Sequence, residues 1–169
     1  MPLGKRLWQI SRASLNLKNP SFRKLFLSVN RNDVCIDLGA NIGLATLVMW
    51  LKGCKNIYAI EPNIEAFKVL KKNLEGIKNI STLNIAISSE TKKEKLYLHK
   101  DLKRKSDMKN ALYLSEASSL LSNKTNLGRE FYEVQAKSLI DLLAQLKKKP
   151  TIIKCDIEGG EYIIFKQII

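Results

Sequence analysis

From Asp33 onward, short apolar runs alternate with stretches whose apolar residues recur at helical spacing. Val34–Leu38 is apolar except for Asp37 and reads as a buried strand. Ile42–Lys52 has helical periodicity and stops at Gly53, a natural C-cap. Ile57–Glu61 reads as a second strand. Asn63 can cap a helix whose buried side includes Phe67, Leu70 and Leu74, and Gly76 ends it. Ile80–Ile87 predicts a third strand, with Leu83, Ile85 and Ile87 at period two. This βαβαβ order predicts an α/β fold, a mostly parallel sheet with right-handed crossovers and helices on both faces.

The rhythm then changes. Leu96–His99 and Phe131–Ala136 read as strands, and the polar stretch 100–129 between them reads as an excursion of loops and a small helix, suited to a binding surface. Ser138–Lys148 predicts a helix whose lysine-rich last turn suits its dipole. Pro150 ends it, and Thr151–Ile157 is the fourth parallel strand. Near the start, Leu3, Leu7, Ile10, Ser14 and Leu17 line one side of a predicted basic helix. After Pro20 a second apolar-spaced piece leads to a polar turn at 30–33. The expected division is a basic helical segment over 1–31 and an α/β domain over 32–169.

Composition narrows the class. The chain has 169 residues, 45% hydrophobic and 27% charged, which describes one globular domain with a real core. Its strongest apolar run, Ile42–Leu51, is about half the length of a membrane span. No apolar block follows the basic start, so the cytoplasm is the expected compartment. Cys35, Cys54 and Cys155 form no C-x-x-C pair and are expected in or near the core. His99 is the sole histidine, which excludes His-pair zinc sites within the chain. Net charge is +13, and no acid precedes Asp33. That surplus suits an anionic substrate, a nucleic acid or an acidic membrane face, the last through peripheral contact by the N-terminal basic helix.

Three stretches carry chemistry. D-L-G-A-N-I-G at Asp37–Gly43 has two glycines at a strand-to-helix turn, where backbone can come close to a ligand. It lacks the third glycine of a dinucleotide fingerprint, and a carboxylate stands before the first. A pyrophosphate is repelled there, whereas a cationic amino-acid end is welcome. Glu61 tips the next strand and can accept two ribose hydroxyls, with Pro62 ending regular pairing. A ligand with a cationic end and an adenosine end is S-adenosylmethionine. The third stretch, Ile152–Glu161, reads I-I-K-C-D-I-E-G-G-E. Its strand is expected beside the first, so that Asp37 and Asp156 end neighbouring strands. Asp156 could orient or deprotonate a hydroxyl, and these carboxylates alone define no metal site.

Together these stretches resemble the FkbM family of S-adenosylmethionine-dependent methyltransferases, over about Asn32 to Phe165. The resemblance is carried by I-D-L-G-A-N-I-G at Ile36–Gly43, by A-I-E-P-N with A-F and N-L after it at Ala59–Leu74, by A-S-S-L at Ala117–Leu120, by S-L-I-D-L-L, and by I-K-C-D-I-E-G-G-E. It implies a Rossmann-like methyltransferase fold and O-methylation of a hydroxyl on a sugar, glycan or other small metabolite. By position, Asp37, Gly39, Asn41 and Gly43 would contact the methionine and ribose end. Glu61 would bind the ribose, Asn63 and Ala86 would lie near the adenine, and Asp156 and Glu158 would be the catalytic pair facing the acceptor. Ser118 and Ser119 match a serine pair to which no role attaches. The family's C-terminal strands are missing, so a truncated, inactive binding domain is the alternative, and an oligomer or partner is expected at the open edge of strand four. Nucleic acid is not expected as substrate, because D-I-E-G sets acids where phosphates would lie and no N/D-P-P-Y segment occurs.

Overall fold

The computed structural model describes residues 20–99, 118–122, 125, 127–158 and 160–166. The basic helix expected over 3–17 and most of the 100–129 excursion lie outside the described residues. In chain order the elements are α1 (Pro20–Ser28), β1 (Val34–Leu38), α2 (Leu44–Leu51), β2 (Asn56–Ile60), α3 (Ile64–Leu74), β3 (Ile80–Leu83) and β4 (Ala86–Ser88). After them come β5 (Lys92–His99), β6 (Leu127–Ser138), α4 (Leu139–Gln145), β7 (Ile152–Cys155) and α5 (Glu161–Phe165). The fold is α/β and Rossmann-like. Its first sheet, in the order β3-β2-β1-β7, is parallel throughout. A second sheet, β4-β6-β5, has one parallel and one antiparallel pairing.

Strand β1 is buried at all five positions, and its side chains alternate between two helical layers. Ile36 and Leu38 pack with Ile60, Leu139, Leu142 and Ile164, the layer of α4 and α5. Cys35 packs with Met49 of α2, on the opposite layer. There Leu47, Val48, Leu70 and Leu74 form a cluster that Phe26 of α1 also joins. Val29, 1% exposed, ties the end of α1 into the same body. The chain runs from β1 to β2 and β3 on one side, then returns to β7 on the other. The strand order therefore reverses at β1, and sheets of this kind bind ligands beyond the C-terminal strand ends at such a point.

Several boundaries differ from those expected. The strand read over Ile80–Ile87 is two strands in two sheets, broken at Asn84, whose amide bonds to the backbone of the β2–α3 turn. Helix α2 starts at Leu44 because Gly43, at φ +94, is its left-handed cap residue. Helix α4 has the expected Ser138 cap but ends at Gln145. Leu146 is extended and keeps its side chain on the core, so the three lysines after it stand outside the helix and do not serve its dipole. β5 and β6 form a longer hairpin than expected, because Arg129–Glu133 are exposed on both faces and carry no alternation.

Candidate functional site

Three turns meet at the C-terminal edge of the first sheet. The turn after β1 leans over β2: Gly39 and Ala40 N–H groups both donate to the Ile60 carbonyl, at 3.0 and 2.9 Å. The turn after β7 is tied to β1 by Asp156 N–H to the Leu38 carbonyl at 3.0 Å. Gly39 has φ +72, and a Cβ there would lie 1.8 Å from the Asp156 carbonyl oxygen. At Gly43 a Cβ would lie 2.8 Å from Leu70 Cδ1. At both glycines the position a Cβ would take is filled by the protein itself, so their small size lets the turns pack.

Glu61 stands just past β2 and is 6% exposed. Its two carboxylate oxygens accept the Asn41 and Asn63 N–H groups, each at 2.8 Å. Burial pushes this carboxyl up to about 7, against the pull of those two N–H groups. The Asp37 charge pushes the same way and Lys154 opposes it, so the acids ending β1 and β2 share one electrostatic neighbourhood. Each carboxylate oxygen has a second lone pair, which leaves Glu61 capacity to accept further donors. Asn41, in the left-handed region at φ +49, has a buried side-chain oxygen with no hydrogen-bond partner among the described residues.

Asp37 is fully buried on the α2 side of β1. Thr46 Oγ1 donates to its Oδ2 at 2.7 Å, and Lys154 Nζ lies 3.1 Å from its Oδ1 as an ion pair. The same ammonium donates to the Gly39 carbonyl at 3.0 Å and sits 3.8 Å from Asp156 Oδ2. Burial pulls the Lys154 pKa down, but Asp37 and Asp156 together outweigh it and hold the ammonium charged. Asp37 thus has a hydroxyl and an ammonium as internal partners, while its Oδ1, apart from that ion pair, makes no hydrogen bond among the described residues.

Of the remaining expected residues, Asn63 caps α3, its Oδ1 accepting from Glu65 and Ala66 N–H, while its Nδ2 donates to Ser118 Oγ at 3.4 Å. Asp156 has a largely exposed side chain at the end of β7. Glu158 is partly buried and left-handed at φ +57. Ala86 is buried in β4 opposite Ala136 of the second sheet. Asp37, Gly39, Asn41, Glu61, Asn63 and Asp156 thus converge on one edge. A hollow of about 400 Å³ beside Trp50, Cys54, Lys55 and Lys78 opens elsewhere and shares none of these residues.

Three residues at this edge gain a role that the sequence alone does not give them. Lys154 carries a usable signal, since a lysine within a buried strand needs a carboxylate partner. Asn84 interrupts an apolar alternation, and its Nδ2 donates to the carbonyls of Glu61 and Pro62 at 2.8 and 3.0 Å. Thr46 offers no such signal from one sequence.

The chain is similar to known proteins in sequence and, over part of its length, in structure. The sequence model described as "Methyltransferase FkbM domain" matches residues 37–168. No curated protein sequence matches the chain. Among solved structures, the methyltransferase FkbM from Methylobacillus flagellatus KT is 19% identical, with TM-score 0.46, over 79% of this chain and 28% of that one. A putative RNA methyltransferase from Pyrococcus horikoshii is 26% identical, with TM-score 0.34, over 37% and 35% of the two chains. The tRNA m1G37 methyltransferase of M. jannaschii is 29% identical, with TM-score 0.33, over 40% and 23%. The chain thus covers about a third or less of each of these structures.

Proposed function

Because the chain belongs to the FkbM methyltransferase family, we propose that it binds S-adenosylmethionine at the edge formed by β1, β2 and β7. It then transfers the sulfonium methyl to a hydroxyl of a sugar, glycan or other small metabolite. The observation that carries this reading is Glu61, one buried carboxylate that binds the backbone of both the β1–α2 and β2–α3 turns and still has lone pairs for two ribose hydroxyls. The residues present fit the cofactor. The buried Asn41 oxygen offers an acceptor for a ligand donor, and Glu61 lies beside it. Asp37 acts on the ligand through Lys154 and the Gly39 carbonyl that Lys154 holds.

When bound, the cofactor supplies an electrophilic methyl group. The chain's part is to align an acceptor oxygen with it, and well-oriented reactants can gain ~7–11 kcal/mol from proximity. Asp156, exposed at the lip of β7, orients the acceptor hydroxyl and takes up its proton, with Glu158 on the same turn.

Calorimetric titration with S-adenosylhomocysteine tests the binding half. The parent chain is expected to bind and Glu61→Ala to lose binding with unchanged circular dichroism. Equal affinity in that variant would overturn the ribose assignment. Transfer of labelled methyl from S-adenosylmethionine to a panel of sugars tests the other half. Asp156→Asn should keep S-adenosylhomocysteine binding and lose most transfer, and unimpaired transfer would remove Asp156 from the mechanism.

A further inference from the structure

The A-S-S-L stretch takes no part in the proposed chemistry, yet its two serines touch both sides of the site. Ser118 Oγ accepts from Asn63 Nδ2 at 3.4 Å, and Asn63 in turn donates its N–H to Glu61. Ser119 Oγ donates to the Glu158 carbonyl at 2.9 Å and accepts from Leu121 N–H at 3.2 Å. Ser119 is itself fixed. It is 1% exposed, and its N–H and C=O both pair with Tyr97 of β5, at 3.0 and 2.9 Å. The group that it holds needs holding, because Glu158 is left-handed at φ +57, a conformation that residues with a Cβ resist.

We propose that Ser118 and Ser119 are positioning residues. They form a two-hydroxyl clasp, anchored on the second sheet, that holds the Glu61–Asn63 turn in register with the Asp156–Glu158 turn. The clasp deepens the proposed function and rests on it for the identity of the two sides, cofactor on one and acceptor on the other. Its physical logic is preorganisation. The turns belong to different strands, and adjacent serines on a third element set their separation more rigidly than either turn could alone. The Ser119 hydroxyl both donates and accepts, and threonine is the side chain that keeps the same hydroxyl for both bonds.

Hydrogen–deuterium exchange of the ligand-free chain tests the acceptor side. Losing one buried hydrogen bond should speed exchange at Ile157, Glu158 and Gly160 by about fivefold in Ser119→Ala. Amides of β1 and β2 should keep parental rates, and Ser119→Thr should restore the turn. Parental exchange in Ser119→Ala, or equal acceleration across β1 and β2, would overturn the clasp and leave ordinary packing. The cofactor side is read by titration with S-adenosylhomocysteine. Ser118→Ala should weaken binding by about threefold, in keeping with one long neutral hydrogen bond. Unchanged affinity there would remove Ser118 from the clasp, even if Ser119→Ala fails to fold. A parent chain that binds no S-adenosylhomocysteine would overturn the proposed function instead, and the exchange experiment would still decide whether Ser119 positions the turn.

Discussion

Replacing Glu61 by glutamine should remove one pH-dependent contribution to stability. The carboxyl rises from its ordinary 4.5 to about 7, chiefly by burial. A group whose pKa is raised by folding prefers its protonated form in the folded chain. Its stabilising contribution is complete below the unfolded value and is lost as pH rises toward the folded one. At about 1.4 kcal/mol per pH unit, the whole effect is on the order of 3 kcal/mol. Roughly 2.5 kcal/mol of it should fall between about pH 5 and about pH 8.5. Burial of Glu61 at 6% exposure leaves little solvent screening to reduce it. Glutamine cannot ionise, so the unfolding free energy of the parent minus that of Glu61→Gln should drop by that amount across the interval. Urea denaturation followed by circular dichroism at both pH values reads the difference directly. A difference that stays constant would mean that Glu61 titrates as an exposed acid, and the buried-carboxylate picture of the site would fail. A difference that grows with pH would mean that the two N–H bonds outweigh burial.

Other substitutions probe the framework around it. Lys154→Met should destabilise the chain by about 3 kcal/mol at neutral pH, because it strands the fully buried Asp37 charge. Adding Asp37→Asn should recover most of that loss in urea titrations, and a single variant within about 1 kcal/mol of the parent would refute the pairing. Gly39→Ala should be much worse than Gly43→Ala in thermal melts. Its Cβ meets a carbonyl oxygen at 1.8 Å, whereas Gly43 meets the movable end of Leu70 at 2.8 Å. Equal melting temperatures would show that the β1 and β7 turns are not in close contact. Asn84→Ala should cost about 1–3 kcal/mol by freeing the Glu61 and Pro62 carbonyls. It should also weaken S-adenosylhomocysteine binding, and unchanged affinity would detach Asn84 from the site.

Much of the parallel framework was legible because its signals are local. Val34–Leu38 is apolar and short, Asn63 and Ser138 are helix caps with oxygen side chains, and Gly53 and Gly76 take positive φ at the ends of their helices. These features depend on neighbours in sequence. What failed depends on neighbours in space. The break at Asn84 is made by carbonyls of another turn, and the hairpin of β5 and β6 exposes both faces over Arg129–Glu133, so no alternation marks it. The site divides the same way. Its acids were visible as strand-end carboxylates, but the sequence could not say which of them pairs with a lysine. Asp37 and Glu61 look alike in the sequence, and only the lysine on β7 and the hydroxyl on α2 tell them apart.

That difference also sets which ligands the edge favours. The chain as a whole carries +13, yet the described charges at this edge are mostly acids: Asp37, Glu61, Asp156, Glu158 and Glu161. Lys154 is the cation placed among them, and its ammonium is taken up by Asp37 and Asp156. Glu161 also turns inward, accepting the Ile157 N–H at 3.0 Å. With Asp37 neutralised, the acids left to face a ligand are Glu61, held close to its titration point by burial, and those of the β7 turn. Under the proposed function such an edge would favour a sulfonium over a phosphate, because charges at these separations interact far more strongly under partial burial than in bulk water. Among the described residues, Lys55 and Lys78 stand away from this edge, beside the other hollow. Net charge acts on what approaches the chain at a distance, while the local sign at the strand ends acts on a ligand at the proposed site. The two can be opposite because screening limits each to about 8–10 Å, less than the length of the sheet that separates them.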